Sequence, residues 1–358
     1  MIISRRYGLR RSVGQLGSVL LIEALMLAAC SGSVTGTADP KTTGVGTAEP
    51  KETPTSTEPS SVARERSGVR TLIVDLHGHR LGSVPDLPAH AFDVALSPGG
   101  QTIAFARIHH RVPQVYTIGI NGKGLRRLTN DARGAFGPAW SPDGRSIAYS
   151  GSGSRPTFDI YAMSATGENP RRLTHSRKLD ELQPAWSPAG GRIAYGAPVA
   201  KNAGNWLPRQ GIRVLRVHSG RIARITKGAD SVPEWSPDGK RIAFLRQPFP
   251  ASSGYLNSLV VVRADGTHTQ LVVDVGSPSW PLSWRFASPP YWSSRGTKLS
   301  VTAAHRARRY SVYVFRVDTG ASREVVHKAV GGNWLPNGRA LLVRLNGGRI
   351  CAGTPFRC

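Results

Sequence analysis

Short apolar segments alternate with turn residues along residues 69–345 of the chain. Four of these segments share one pattern, in which an isoleucine, an alanine and an aromatic residue follow each other: residues 103–105, 147–149, 193–195 and 242–244. Short apolar alternation of this kind is typical of half-buried β-strands. No segment has the period of a long amphipathic helix, so the pattern predicts an all-β fold.

A turn motif occurs six times along the same residues, and the strand pattern follows four of its copies. Residues 140–144 and 235–239 read Trp-Ser-Pro-Asp-Gly, and altered copies begin at residues 96, 186, 292 and 334. The six starts are 44, 46, 49, 57 and 42 residues apart, which is the length of a four-stranded propeller blade. Ser, Pro and Gly at these positions favour a type I turn, so we expect Asp143 and Asp238 to be turn formers. The preceding tryptophans are expected to pack between blades.

This repeat resembles that of the TolB-like β-propellers, whose consensus contains Trp-Ser-Pro-Asp-Gly, Ile-Ala-Phe and Arg-Leu-Thr in this order. The resemblance covers residues 69–345 and implies a six-bladed β-propeller with four-stranded antiparallel blades. Residues 71–84 supply two outer strands and residues 333–345 supply two inner ones, so we expect the two ends to combine in the sixth blade. We expect the propeller to span residues 69–350, with a C-terminal tail at 351–358 and no TolB-type α/β domain before the repeats.

The first 29 residues read as an export signal, with four arginines followed by an apolar run at residues 16–29. That run is too short to span a bilayer comfortably. It ends in Leu-Ala-Ala before Cys30, which resembles a bacterial lipobox and implies that Cys30 is lipidated at the extracytoplasmic side of the cell membrane. An ordinary signal peptide with an incidental cysteine is the alternative, and the general and twin-arginine routes both stay open. Residues 30–68 are rich in Thr, Pro, Gly and Ser and are expected to be a disordered tether.

The chain is strongly basic, with a formal net charge of +25 and a sequence pI near 11.1. Residues 1–29 and 30–68 contribute little to this total, so nearly all of the positive charge lies on the expected propeller. Such a field attracts polyanions or anionic headgroups in a salt-dependent way. The excess of arginine is equally compatible with a compositional bias, and both interpretations stay open.

The sequence contains few of the residue patterns that support catalysis. It has no Gly-x-Ser-x-Gly, no His-Glu-x-x-His and no phosphate-binding glycine loop. His109 and His110 are the only adjacent histidines, and we expect them to be solvated rather than to bind a metal. The predicted innermost strands contain mostly Ala, Trp, Pro and Ser, and Glu234 is the exception. We therefore expect that the protein is not an enzyme and that it binds no cofactor and no metal.

Three long insertions are predicted on the propeller face that carries the second–third loops and the blade connections, at residues 196–210, 246–257 and 276–290. The opposite face carries tight turns and is expected to be flat. Exposed aromatic and arginine side chains are enriched in binding hot spots. We therefore predict a ligand-binding patch consisting of Trp206, Arg209, Tyr255, Trp280, Trp284, Arg285 and Phe286. The alternative is that these aromatic side chains cover the ends of their own blades.

The function that follows is a non-catalytic binding or scaffolding lipoprotein of the cell envelope. Its partner is expected to be an envelope protein or an anionic cell-wall polymer, with no nucleic acid, and the protein is expected to be a monomer. An enzyme with its site in the central channel, a lyase or hydrolase acting on envelope glycan or peptide, is the alternative. A domain lying flat on anionic headgroups is the third possibility. Cys351 and Cys358 are expected to pair in a disulfide, or else to be two free thiols.

Overall fold

The computed structural model describes residues 69–85, 87–88, 90–153, 155–177, 179–197, 211–247, 258–274, 284–305 and 309–346. Within these ranges the strands form six antiparallel sheets. The predicted six-bladed all-β propeller is therefore confirmed. No helix in the described part of the chain is long and apolar enough to cross a membrane.

The propeller begins with the hairpin β1 (Val69–Asp75) and β2 (Arg80–Val84). In blades one to four the strands follow each other in the sheet as they do along the chain, from the innermost outwards. Blade one consists of β3 (Phe92–Leu96), β4 (Thr102–His109), β5 (Val112–Gly119) and β6 (Arg126–Arg127). Blade two consists of β7 (Ala135–Trp140), β8 (Ser146–Gly151), β9 (Asp159–Ser164) and β10 (Arg171–Arg172).

The next two blades have the same order. Blade three consists of β11 (Leu182–Trp186), β12 (Arg192–Gly196), β13 (Ile212–Arg216) and β14 (Ile222–Arg224). Blade four consists of β15 (Ala229–Trp235), β16 (Arg241–Gln247), β17 (Ser258–Arg263) and β18 (Gln270–Asp274).

Blade five differs because its innermost strand is in two pieces. These are β19 (Trp284–Phe286) and β20 (Tyr291–Trp292), and both pair with β21 (Lys298–His305). Pro289 and Pro290 lie between the two pieces, and proline has no N–H to donate to the ladder. The blade continues with β22 (Arg309–Arg316) and β23 (Ser322–His327).

Blade six joins the two ends of the propeller chain. Its inner strands are β24 (Ala329–Trp334) and β25 (Ala340–Asn346), and its sheet order is β2-β1-β25-β24. The pairing of β1 with β25 runs without a shift from Val69 opposite Asn346 to Asp75 opposite Ala340. The predicted closure of the ring by both chain ends is confirmed, and it places β1 and β25 in the interior of the sheet with both of their edges paired.

The repeated turn motif folds as predicted. In blade two the Gly144 N–H donates to the Ser141 carbonyl at 2.9 Å, and the Ser141 hydroxyl donates to the Asp143 carboxylate at 2.6 Å. The same serine oxygen accepts the Ser146 N–H at 2.9 Å. In blade four Ser236 and Asp238 repeat the side-chain bond. The hydroxyl bond lowers the pKa of Asp143, as does the N–H of Arg145, so this carboxylate stabilises the turn.

The motif tryptophans connect each blade to the preceding one. The indole N–H groups of Trp140, Trp292 and Trp334 donate to the carbonyls of Ala95, Glu234 and Tyr291 at 3.1, 3.1 and 2.9 Å. The indole nitrogens of Trp186 and Trp235 are buried without a hydrogen-bond partner. The predicted position of the tryptophans between blades is confirmed, although two of the five do not make the bond.

The hydrophobic core also lies between adjacent blades. The repeated isoleucine and aromatic side chains are completely buried, as in Ile103, Phe105, Ile193 and Tyr195. Cluster members come from neighbouring sheets: Tyr195 and Ile193 pack with Ile160 of the preceding blade. Burial of each such side chain stabilises the fold by about 1.5–3 kcal/mol relative to its exposure. The resulting ring gives fixed surfaces at its turns and along its central channel.

Candidate functional site

A basic groove lies between blades three and four on the side of the tight turns. It has a volume of about 1120 Å³ and borders the turn after β13, strand β14 and two turns of blade four. Two aspartates line it, Asp238 and Asp265. Its positively charged lining residues are Arg192, Arg216, Arg221, Arg224, Lys240, Arg241 and Arg263. We expected this face to be flat, and that expectation is wrong, because the turns and strands of two neighbouring blades border a groove here.

Two of the arginines are held by the tryptophan of the following blade. The Arg192 guanidinium lies 4.6 Å from the centre of the Trp235 ring, and that of Arg241 lies 4.9 Å from the centre of the Trp292 ring. Arg241 also donates to the Gly296 carbonyl at 2.8 Å. A guanidinium stacked on an aromatic face keeps its charge and most of its donors. The inner wall of the groove is therefore a rigid row of positive charge.

The outer wall carries cations that form no ion pair within 4.0 Å among the described residues, although Asp265 and Asp238 lie near Arg263 and Lys240. These cations are Arg216, Arg221, Lys240 and Arg263, and all four are exposed. Both aspartates of the groove are engaged in their own turns. Asp265 accepts the N–H and hydroxyl of Thr267 at 2.8 and 2.6 Å, which lowers its pKa.

The groove has the chemistry of an anion-binding site. Arginine presents a planar set of donors that matches phosphate and carboxylate oxygens. Ile222, which is 42% exposed, adds an apolar surface on which the carbon skeleton of a ligand could lie. The arrangement therefore favours an extended anionic ligand over an uncharged one.

The predicted aromatic patch lies mostly outside the described residues. The patch residues that lie outside the described residues are Trp206, Arg209, Tyr255 and Trp280. The three cysteines, Cys30, Cys351 and Cys358, also lie outside them. The backbones of Trp284 and Arg285 belong to β19 and pair with His305 and Ala304. The lipid attachment, the disulfide and the patch therefore stay predictions.

Phe286 does not belong to an exposed patch. Its side chain is 3% exposed and packs edge-to-face on Phe315, with 6.0 Å between ring centres. It lies in the core between blades four and five. Phe286 is therefore a core residue, because the segment before the fifth turn motif continues the sheet, and its predicted contact with a ligand stays a prediction.

The central channel contains ionisable groups on the innermost strands. Five of these strands are bulged at the same place, before the turn motif. Asp93 lies in the bulge of blade one with φ at 48°, an uncommon value for a residue with a side chain. Its carboxylate accepts the Gly137 N–H of the next blade at 3.0 Å. Asn333 donates to the Val94 carbonyl at 2.9 Å and connects blade six to blade one.

Burial changes the protonation of these channel groups. Burial raises the pKa of Asp93 to about 6, although the Gly137 N–H lowers it. Burial raises the pKa of Glu234 to about 8. The pKa of Tyr291 is raised by burial first and then by the charges of Asp93 and Glu234. The three groups therefore influence one another within the channel. Sequence reasoning singled out Glu234 but missed Asp93, because the first repeat has lost the motif tryptophan.

The fold and its repeats define a closed six-bladed β-propeller of the Trp-Ser-Pro-Asp-Gly type. The chain belongs to the TolB β-propeller family, because the model of the TolB beta propeller domain matches residues 48–284.

Among curated proteins, an uncharacterized protein of Agrobacterium fabrum strain C58 is 28% identical over 163 residues, 43% of this chain and 50% of the relative. The chain therefore spans half the length of that relative.

Solved structures agree on the fold. A TolB-type protein from Agrobacterium tumefaciens has a TM-score of 0.59 at 19% identity, covering 80% of this chain and 99% of its own. TolB from Acinetobacter baumannii has a TM-score of 0.52 at 15% identity, covering 79% and 64%. The tricorn protease has a TM-score of 0.50 at 15% identity and covers 79% and 31%. Because the fold occurs in a protease as well as in TolB proteins, function must be argued from the sites.

Proposed function

We propose that the protein is a non-catalytic binding protein of the cell envelope, and that the groove between blades three and four binds an anionic envelope polymer. The observation that carries this proposal is the groove's lining of seven cationic residues against two aspartates. Membership of the TolB propeller family and the net charge of +25 support it. The groove is as large as the sites that hold whole small molecules, so it has room for more than one unit of a polymer.

The location in the envelope is part of the same proposal. The signal peptide at residues 1–29, lipid attachment at Cys30 and the tether at residues 30–68 would keep the propeller close to the membrane, where phosphate- and carboxylate-bearing polymers occur. Replacing Cys30 by serine is expected to release the protein from the membrane fraction. Mass spectrometry of the purified wild-type protein should show acyl chains on Cys30, and an unmodified thiol there would contradict the anchor.

The groove is tested with polymers of defined charge. Full-length protein is titrated with fluorescent poly(glycerol phosphate) and with poly-glutamate at low and high salt. The variant Arg216→Glu/Arg263→Glu reverses two exposed charges of the groove. The matched control Arg126→Glu/Arg323→Glu reverses two exposed arginines of blades one and five. We expect the groove variant to bind about 10–100-fold more weakly, since each lost or opposed contact costs on the order of 1 kcal/mol.

Four outcomes would contradict the proposal. An equal loss in both variants would mean that the overall field, and not the groove, attracts the polymer. Binding that does not weaken with salt would exclude an electrostatic site. A protein recovered from envelope extract at both salts, with no polymer binding, would make the partner a protein. Binding only to vesicles with anionic lipids would mean that the basic surface orients the domain on its own membrane.

A central-channel enzyme is the second candidate, and the raised pKa values of Asp93 and Glu234 favour it. One ionised and one protonated carboxyl group in the same channel are suited to general base and general acid roles. Wild type, Asp93→Asn and Glu234→Gln are incubated with envelope glycan and peptide fragments, and product release is measured. Turnover by wild type that both variants lose would support this candidate, and absence of turnover by wild type would remove it.

A further inference from the structure

Two histidines and an aspartate meet at the turn between β1 and β2. Asp75 ends β1, and His77 and His79 follow at alternate positions of the sequence Asp-Leu-His-Gly-His. A ligand atom from each of the three residues lies within 4.8 Å of the other two. The Asp75 Oδ2 atom forms a hydrogen bond with Nδ1 of His79 at 2.9 Å and lies 3.8 Å from Nδ1 of His77.

These separations suit a single small metal ion. Zn²⁺ binds imidazole nitrogen and carboxylate oxygen at about 2.0–2.2 Å, so tetrahedral ligands lie about 3.3 Å apart. The two measured distances bracket that value. Two imidazoles and one carboxylate are a ligand set used for zinc and for other divalent transition metals. Three protein ligands leave a coordination position for water or for a further ligand.

The carboxylate is held in place by the turn itself. The second oxygen of Asp75, Oδ1, accepts the N–H groups of His77 and His79, both at 2.8 Å. This leaves Oδ2 facing the imidazoles, an orientation of the kind that outer hydrogen bonds give to metal ligands.

The turn is also fixed against the neighbouring blade. Gly78 has φ at +84°, and a Cβ atom there would lie 2.5 Å from the carbonyl oxygen of Val325 in β23. This close approach packs the turn of blade six against blade five. The histidine side chains remain accessible, with 64% and 59% of their surfaces exposed. An ion from solution can therefore reach all three ligands.

We propose that Asp75, His77 and His79 form a binding site for a divalent transition-metal ion, with Zn²⁺ as the test ion. The site belongs to the N-terminal hairpin, whose strand β1 pairs with β25 to close the ring. A bound ion would connect the end of β1 with the start of β2 and so stabilise the hairpin on which closure depends.

The experiment uses the full-length protein without an affinity tag. Thiols are alkylated beforehand, so that Cys30, Cys351 and Cys358 do not bind the ion. Zn²⁺ affinity is measured by competition with a chromophoric chelator for wild type, His77→Ala, His79→Ala and Asp75→Asn. The control is His109→Ala/His110→Ala, which removes two adjacent imidazoles whose rings lie 4.2 Å apart. Circular dichroism verifies that each variant is folded.

We expect micromolar or tighter binding of one ion, and a loss of about tenfold or more in each single variant, since loss of outer partners alone costs 10–100-fold. The control should bind like wild type. Zn²⁺ should also raise the melting temperature of wild type but not of His79→Ala. Cu²⁺ bound to wild type should show two-nitrogen hyperfine coupling by electron paramagnetic resonance. Equal affinity in wild type and His79→Ala, or binding only at millimolar Zn²⁺, would overturn the proposal.

Discussion

Replacing Thr129 by valine removes a hydroxyl that makes two buried hydrogen bonds at the end of a blade. Thr129 belongs to the Arg-Leu-Thr segment after β6, and its side-chain oxygen accepts the N–H of Val115 in β5 at 2.9 Å. The same hydroxyl donates to Oε1 of Gln114 at 2.7 Å. Thr129 is 8% exposed and Val115 is fully buried, so water cannot replace either bond.

The two bonds set the expected magnitude. Valine keeps the shape of threonine but leaves the buried Val115 N–H without an acceptor, which costs about 1–3 kcal/mol. Loss of the hydroxyl bond to Gln114 adds about 0.5–1.5 kcal/mol. Gln114 keeps its other bonds, because its Oε1 atom also accepts the Asp131 N–H at 3.0 Å. We therefore expect Thr129→Val to lower the free energy of unfolding by about 2–4 kcal/mol.

Thr129→Ser is the matched control. It keeps the hydroxyl and deletes one methyl group, so it should cost about 1 kcal/mol. Both variants are unfolded in urea at constant temperature, with fluorescence and far-UV circular dichroism followed together to verify a two-state transition.

A valine variant no less stable than the serine variant would refute the reasoning, because packing of the methyl group would then be the main contribution. Thr226→Val provides a repeat of the experiment in blade three, where the threonine oxygen accepts the Ile212 N–H at 2.8 Å.

Three further predictions concern contacts between and within blades. Trp334→Phe should destabilise the propeller by about 1 kcal/mol more than Trp186→Phe. Of these two tryptophans, Trp334 donates its indole N–H to a carbonyl and Trp186 does not. Equal urea midpoints of the two variants would contradict this prediction. Burial raises the pKa of Glu234 to about 8. Between about pH 4.5 and pH 8 the folded state therefore keeps a proton on this carboxyl group that the unfolded state has released. The free energy of unfolding should fall as the pH rises through this range. Glu234→Gln should flatten that fall in melting temperatures between pH 5 and 9, and an unchanged slope would exclude the residue as its source. Arg246→Met should lower the free energy of unfolding in urea by about 3–5 kcal/mol. The reason is that the side chain of Asp230, which is 0% exposed and lies 2.7 Å from Arg246, would lose its counter-charge. The double variant Asp230→Asn/Arg246→Met should recover part of the loss, and no recovery would mean that the arginine acts through packing.

The fold could be predicted because most of the signal for a blade lies within one repeat. Ser141, Asp143 and Gly144 form a turn through contacts within six residues, and every repeat supplies its own strand alternation. Even the ring closure followed from counting strands at the two ends. Phe286 is the exception: it precedes two prolines on a strand of three residues, too short for alternation to reveal.

The candidate sites could not be predicted in the same way, because each joins residues from different repeats. Arg216 and Arg263 line the same groove although 47 residues separate them. Arg216 ends β13 and Arg263 ends β17, and strand alternation does not show that these two strand ends border one groove. Asp93 became a channel residue through a bulge, which the strand alternation does not encode. His77 and His79 are close to Asp75 in sequence, yet only the fold of the turn brings their imidazole nitrogens near its carboxylate.

The pairing of β1 with β25 has a consequence for the order in which the protein folds. About 270 residues separate these partners along the chain, so this contact has the highest loop-closure cost of the fold and should form last. Until residues 340–346 leave the ribosome, β1 has one unpaired edge, and the apolar side chains of Leu72 and Val74 are uncovered. This hairpin is then a template for pairing with other chains. The nascent protein therefore stays exposed to aggregation through this edge until residues 340–346 are available to pair with β1.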